Sequence, residues 1–469
     1  MPVDPLGGLN DVLRGVEKLG RDLIGQPRIR LAVTGLTRAG KTVFITSLVA
    51  NLLAAGRGRR TLPLFEAAAG GRLRSVRLVP SASEALPRFD VEAHLAALAA
   101  DPPAWPGRTD DLSTLELTLE LDRPGAFGGM LGSLIGSRTV TLELLDYPGE
   151  WLLDLPMLDQ DYAAWSAETL RRLRRGERAA SVRDFLAWVE ALPAGATADE
   201  SLARRGHALY RDALRECRDG LGFRFLQPGR VLNPGPRGET PLLWFFPLPY
   251  PSGGGLASLM AQRHAAYVAA QRAEFFEPFF RRFDRQAVLV DVLGALHAGQ
   301  AAFEDTAEAL AAIAAALRYG GGWWDWLVGA GVARVAFAAT KADHVPGRQR
   351  DALAALLGTL VAAPQGRAAE AGVATSVHAL ASLRCTEDAV ATLDGRPVAA
   401  VRGTLLATGQ SAKVYPGEIP LRPPEPGFWE HGFFEMPEFQ PPKLDAAGGS
   451  GVPHLGLDAL LAALIGDLL

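Results

Sequence analysis

Eight consecutive residues constrain this chain more than any other stretch: Gly35-Leu36-Thr37-Arg38-Ala39-Gly40-Lys41-Thr42, a GxxxxGK[ST] pattern. The apolar run at 29–34 before it reads as a short buried strand, and residues 42–54 after it read as a helix. A strand that enters a glycine-punctuated loop and leaves as a helix is the context that makes this pattern a phosphate cradle and not a chance turn. Glycines let the backbone close around an anion, while the loop N–H groups and the helix N-terminus point at it. Phosphate contacts are therefore expected from the loop at Gly35, Thr37, Arg38, Ala39 and Gly40 and from the Lys41 ammonium. The Thr42 hydroxyl would reach Mg²⁺.

The rest of the chain reads as an α/β protein with an interruption. Residues 114–121 and 139–145 are expected strands that pair antiparallel across the Gly-rich stretch 125–136, whereas 61–110 is mixed and ends Pro-rich. From 150 to 220 the apolar spacing is helical, 223–255 is irregular and rich in Pro and Gly, and a helix over 256–283 should bend near Pro278. Alternation then returns: strand 287–293, helix 302–318, strand 333–339, helix 348–362 and strand 374–381. Short strands and turns fill 386–443, and 457–468 closes with an apolar helix. The expected organisation is an N-terminal helix over 1–27, a P-loop domain from 28–150 and 284–385, a helical insertion over 151–283, and a C-terminal extension over 386–469.

Two more motifs belong to the same site. The run 142–145 leads into Asp146-Tyr147-Pro148-Gly149, a DxxG pattern that gains meaning from standing at a strand end downstream of the phosphate loop. Asp146 would hold Mg²⁺ through water, and the Gly149 N–H would sense a terminal phosphate. The strand at 334–339 delivers Thr340-Lys341-Ala342-Asp343 at its carboxyl end, where open α/β sheets bind ligands. A carboxylate at Asp343 accepts from N1–H and the 2-amino group of guanine, donors that adenine lacks, while the Lys341 stem packs on the ring. Ala381 and Ser382 are candidates for a backbone-mediated base contact, an ordinary strand end being the alternative. Of 48 basic residues only five are lysines, and two of these, Lys41 and Lys341, occupy the positions where the motifs ask for one.

These motifs, together with DYPGEWLLDLPML at 146–158, FDRQAVLVD at 283–291, FAATKADHV at 337–345 and VYPGE at 414–418, resemble the bacterial YcjX-like family of P-loop GTPases over nearly the whole chain. The resemblance implies a Ras-like G domain: a mostly parallel sheet with an antiparallel hairpin strand, a large helical insertion and a small β-rich C-terminal extension. It also implies GTP and GDP binding with Mg²⁺ and a link to envelope or phage-shock stress.

Several roles stay open. Switch I needs a Thr that closes over Mg²⁺, and Thr109 is the first choice, with Ser113 and Thr114 as competitors. Glu150, after the DxxG glycine, either orients the attacking water or serves as a surface or switch residue. Its charge beside a triphosphate leads us to expect slow turnover. Arg38 either supplies a built-in arginine finger or packs against an acid. Asp291 reads as a strand-end acid making a structural hydrogen bond, with a nucleotide-facing role as the alternative. Trp323, Trp324 and Trp326 read as core packing, against a membrane-interface wedge or partner anchor. The expected function is a nucleotide-dependent switch with slow GTP hydrolysis, whose effector protein no residue names. A nucleotide-binding scaffold without turnover and a P-loop ATPase are the rivals, the latter disfavoured by Lys341 and Asp343.

A composition of 48% hydrophobic and 21% charged residues excludes wholesale disorder, a fibre and a disulfide scaffold. A net charge of −4 recruits no nucleic acid. Cys217 and Cys385 stand far apart, which suits a reducing, cytoplasmic interior. The longest apolar stretch, 326–340, is broken by Arg334 and too short to span a membrane. Leu9, Val12, Leu13, Val16, Leu19 and Leu23 recur at helical spacing, so that helix either docks on its own domain or lies on the inner membrane surface. The interleaved Asp4, Asp11, Glu17 and Asp22 favour docking. No His spacing suits a structural metal or a Ser/His/Asp triad.

Overall fold

The computed structural model describes residues 27–36, 38–79, 87–107, 112–122, 137–235, 238–276, 283–316, 332–430, 436–444 and 449–469. The N-terminal amphipathic helix, Thr37, Thr109, the Gly-rich stretch 125–136, Pro278 and the tryptophans at 323, 324 and 326 lie outside the described residues.

One sheet organises the chain. Its strands are β1 (Arg28–Gly35), β2 (Leu73–Val79), β3 (Ser113–Leu121), β4 (Arg138–Asp146), β5 (Arg285–Val290), β6 (Arg334–Ala339) and β7 (Ala374–Ala379), in the order β2-β3-β4-β1-β5-β6-β7. The five strands from β4 to β7 in that order run parallel, and β3 and β2 continue the sheet antiparallel. β1 sits in the middle and is buried along nearly its whole length, as a strand covered on both faces must be. β3 instead alternates buried and half-buried residues along its length, the period-two pattern of a sheet margin. Because the parallel strands share a direction, Gly35, Asp146, Val290, Ala339 and Ala379 end on one edge of the sheet.

Helices cover both faces. The phosphate-loop helix Lys41–Ala55 and the closing helix Leu457–Ile465 share one core with Ile29, Leu31, Val33, Leu142 and Leu144. The opposite core joins Ala32, Leu145, Val290 and Phe337 to the helix Arg350–Leu360 and to Trp151 and Leu152. The inserted segment builds a third core of its own around Trp165, Tyr210, Phe245, Phe246 and Tyr267. Its helices are Tyr162–Leu173, Arg183–Glu190, Glu200–Asp219 and Leu256–Gln271. Three further strands, β8 (Thr386–Leu393), β9 (Arg396–Thr404) and β10 (Ser411–Val414), form a separate antiparallel sheet. The two cysteines are free.

The structure revises the expected elements in three places. The mixed segment 61–110 holds β2 and a helix, Val91–Ala99, capped by the Asp90 side chain. The strand expected to run to residue 293 stops at Val290, because Asp291 accepts from the Gly294 N–H and starts a helix, Val292–His297. The long helix of the insertion is regular only to Gln271, and a π-helical turn, Arg272–Phe276, follows.

Candidate functional site

The phosphate loop stands where its sequence context requires. β1 ends at Gly35, and the helix opens at Lys41 behind Gly40, a residue with no side chain to cap it. Gly40 at φ 80° and Arg38 at φ 66° adopt left-handed backbone, the curl that turns loop N–H groups inward. The Lys41 ammonium donates to the Gly35 carbonyl at 3.1 Å. Ala39 is buried, with its N–H on the Leu36 carbonyl, and Thr42 is half-buried beside them. Arg38 is exposed, and among the described residues its guanidinium pairs with no acid, so the acid-packing alternative is not what is found.

β4 carries the second motif to the same place. Parallel pairing sets Asp146 opposite Val33 of β1, and antiparallel pairing sets it opposite Ser113 of β3. Asp146 is 1% exposed. Ser113 is also buried, and its Oγ meets no partner among the described residues. A buried carboxylate paired across the sheet with a residue whose hydroxyl is unsatisfied is the kind of hard-oxygen donor set Mg²⁺ takes when phosphates complete its shell. Thr114, the other switch I competitor, is held in β3 by main-chain bonds to Pro87 and Phe89.

Gly149 lies directly on the phosphate loop. A Cβ there would collide with the Gly35 carbonyl oxygen and stand 2.8 Å from the Lys41 Nζ, so only glycine fits. Glu150 is buried and not on the surface, at the start of the 3₁₀ segment Gly149–Asp159, and Arg218 of the insertion faces it. This segment, Gly149–Asp159, forms a strap that later residues of the insertion hold by several hydrogen bonds, Arg272 to the Leu158 carbonyl at 2.8 Å among them. The Trp151 indole donates to the Asn233 carbonyl at 3.0 Å, and the Gln227 amide donates to the Leu153 carbonyl. The Gly229 N–H and the Tyr267 hydroxyl donate to Asp154 at 2.7 and 2.5 Å. Burial pushes the Asp154 carboxyl up to about 6 against these hydrogen bonds and the nearby Arg230. These partners were not foreseen, since contacts between residues 74 to 114 positions apart leave no periodicity to read.

The base motif is assembled from three strand ends. Thr340 donates its N–H at 2.9 Å and its hydroxyl at 3.3 Å to the Val290 carbonyl, locking β6 to β5. Lys341 turns through φ 60°, and its ammonium meets Asp291 at 2.5 Å. Asp291 thus makes the structural hydrogen bond expected of it and also holds the motif lysine. Burial opposes its charge, but the Lys341 ammonium and bonds from Lys341 and Gly294 hold its carboxyl below the usual range. Asp343 is 2% exposed, and its Oδ2 accepts from the Cys385 N–H at 2.8 Å. Burial and then the Asp343 charge push the Cys385 thiol up, which disfavours its thiolate. Ala381 gives its N–H to the Leu455 carbonyl at 3.0 Å, while the Leu380 carbonyl before it takes the Ala342 N–H of the motif and the following Ser382 is buried. Three motifs distant in the chain therefore converge on one edge of the sheet.

Comparison with known proteins agrees over the same span. The model of the YcjX-like family (DUF463) matches residues 29–469. The Ras-like GTPase YcjX of Escherichia coli strain K12 is 37% identical over 453 residues, covering 94% of this chain and 96% of that protein. The Ras-like GTPase YcjX of Shewanella oneidensis is 35% identical over 462 residues, covering 94% of each. With its phosphate loop, DxxG segment and base motif on one sheet edge and this match over residues 29–469, the chain belongs to the YcjX-like family of GTPases.

Proposed function

We propose that this chain is a guanine-nucleotide switch that binds GTP and GDP along the carboxyl edge of the sheet, hydrolyses GTP slowly and transmits the change through its helical insertion. The observation that carries the reading is the seat of Gly149 on the Gly35 carbonyl and the Lys41 ammonium. A terminal phosphate would draw on the same ammonium and on the Gly149 N–H, so its arrival or loss would move the strap that begins there. The strap is tied to the insertion through Leu153 and Asp154, and the insertion would follow.

Asp343 would read the guanine edge, with Lys341 over the ring and Ser382 beside it. Thr42 and Asp146 would hold Mg²⁺, with Thr109 or Ser113 completing switch I. Bound there, Mg²⁺ would neutralise charge between the outer phosphates. Arg38, unpaired among the described residues, would add a cis positive charge, and the buried Glu150 carboxylate would slow turnover. The process it serves would be a bacterial envelope or phage-shock stress response in the cytoplasm, with an effector protein reading the insertion. Among the described residues no helix is long and apolar enough to cross a membrane.

Competition of GTP and ATP for bound mant-GDP, with phosphate release followed in wild type and Lys41→Ala, tests the reading. GTP should displace the probe where ATP does not, and slow phosphate release should vanish in the variant. Equal displacement by ATP would make the chain an ATPase. Phosphate release indistinguishable between the two proteins would make it a scaffold.

A further inference from the structure

Asp343 is backed by residues from far along the chain. Its Oδ2 takes the Cys385 N–H at 2.8 Å, and its main-chain carbonyl takes the Thr386 hydroxyl. The ring of the next residue, His344, meets the buried Phe439 edge-on, with centroids 5.1 Å apart. Phe439 belongs to the C-terminal extension, and its neighbours hold it in place: the Leu406 N–H donates to the Glu438 carbonyl and the Gln440 N–H to the Thr404 carbonyl, each at 2.8 Å. Gly403 of β9 lies so close to the ring that a Cβ there would stand 2.6 Å from it, so the ring has no room to retreat toward β9.

The same short segment also reaches the residues that lead toward Thr109. The Trp105 indole donates to the Phe439 carbonyl at 3.0 Å, and the Leu444 N–H donates to the Leu98 carbonyl at 3.3 Å. Trp105, Cys385 and Val43 pack against one small core that holds Leu98, Leu383 and Leu444. Lys443 adds an ion pair with Asp101 at 2.9 Å, but both side chains are exposed and water screens it. The indole bond and the shared core therefore join the approach to switch I with the back of the base motif. We propose that Trp105 and the C-terminal segment 438–444 form a brace that positions Asp343, so that guanine preference and nucleotide residence depend on it. Trp105 is then a positioning residue: Cys385 holds the Asp343 carboxylate, and Cys385 keeps its place while the core it shares with Trp105 stays closed. Coupling of this kind is reciprocal, so a nucleotide that engages Asp343 tightens the brace in turn.

This inference rests on the reading that Asp343 takes the guanine edge, and the experiment separates the two. Release of mant-GDP and mant-IDP is followed by stopped flow in full-length wild type, Trp105→Phe and Asp343→Ala, and hydrogen exchange over 438–444 is measured with and without GDP. Inosine lacks the 2-amino group and can make only one of the two bonds to the carboxylate. Trp105→Phe keeps an aromatic ring in the core and removes the indole donor. It should speed mant-GDP release about fivefold and mant-IDP release by less than about twofold. In wild type, GDP should slow exchange over 438–444, and in Trp105→Phe that protection should be lost. Equal acceleration for the two nucleotides would reduce Trp105 to packing and overturn the brace, as would unchanged release of both or exchange over 438–444 that ignores GDP in wild type; each leaves the base reading standing. Wild type that holds mant-GDP no longer than mant-IDP, or Asp343→Ala that keeps the wild-type preference, would overturn both.

Discussion

Replacing Asp291 by alanine takes away two bonds that have separate consequences. One oxygen accepts from the Gly294 N–H at 3.0 Å and caps a helix, and the other holds the Lys341 ammonium at 2.5 Å. Loss of the cap costs about 1 kcal/mol. The Lys341 side chain is 39% exposed, so water screens the ion pair and its loss adds only about 1 kcal/mol more. Asp291→Ala should therefore lose about 2 kcal/mol in urea unfolding, whereas Asp291→Asn, which caps as well, should lose about half of that. Affinity should divide differently. Both variants release the lysine from the position that would lay its stem on a base, so both should weaken mant-GDP binding by about tenfold, or about 1.4 kcal/mol. The pH dependence has a defined sign. The folded carboxyl titrates below its usual range, so the stability it adds is complete above the unfolded value of about 4 and disappears as pH falls through the lower folded value. The advantage of wild type over Asp291→Asn should be whole at neutral pH and close in acid. If Asp291→Asn bound mant-GDP like wild type while Lys341→Met bound it poorly, the ion pair would not position the lysine and the argument would fail.

Gly149→Ala would push its methyl group into the Gly35 carbonyl, an overlap costing about 1–3 kcal/mol if it is to stay in place. The strap should lift instead, and hydrogen exchange over 149–159 should become fast and identical with GDP or a GTP analogue; slow, nucleotide-sensitive exchange would contradict the seat. Asp154→Asn tests the anchor farther along. With the folded carboxyl raised to about 6, the wild-type fold binds more protons than the unfolded chain between about pH 4 and 6, so stability falls as pH rises through that window. The asparagine variant should show no such fall and should equal or exceed wild type at pH 7, because its amide can still accept from Gly229 and donate to Tyr267; an unchanged pH slope would acquit Asp154 of causing it.

What could be read from the residues in advance was whatever short-range chemistry records. The loop at 35–42, the turn at 340–343 and the alternation along β3 each depend on residues within one element, and each stands where it was expected. β2 escaped notice because Arg74 and Arg77 interrupt an edge strand whose outer side faces water. The end of β5 was hidden inside the run Val288 to Leu293, apolar but for Asp291, which is the only sign that the backbone changes course. The links from Gln227, Gly229 and Tyr267 to the DxxG strap come from packing between distant segments. The burial of Glu150 has the same origin, and no window of neighbouring residues reports it.

The closing helix Leu457–Ile465 has a consequence for how the protein is made. Residues near it are stitched to the earliest part of the sheet: the Asn51 amide exchanges hydrogen bonds with Val452, 401 positions later, and Arg285 grips the Leu464 carbonyl and Asp467. A growing chain that has completed the phosphate loop and its helix still lacks the closing helix, which completes the core that Leu48, Leu52 and β5 share. At about 5–20 residues per second, those 401 positions represent roughly 20–80 s of synthesis with that apolar face in water. The nucleotide-binding half of this protein is thus left without its lid of greasy side chains throughout its own translation, an interval in which a holding chaperone would have a surface to bind.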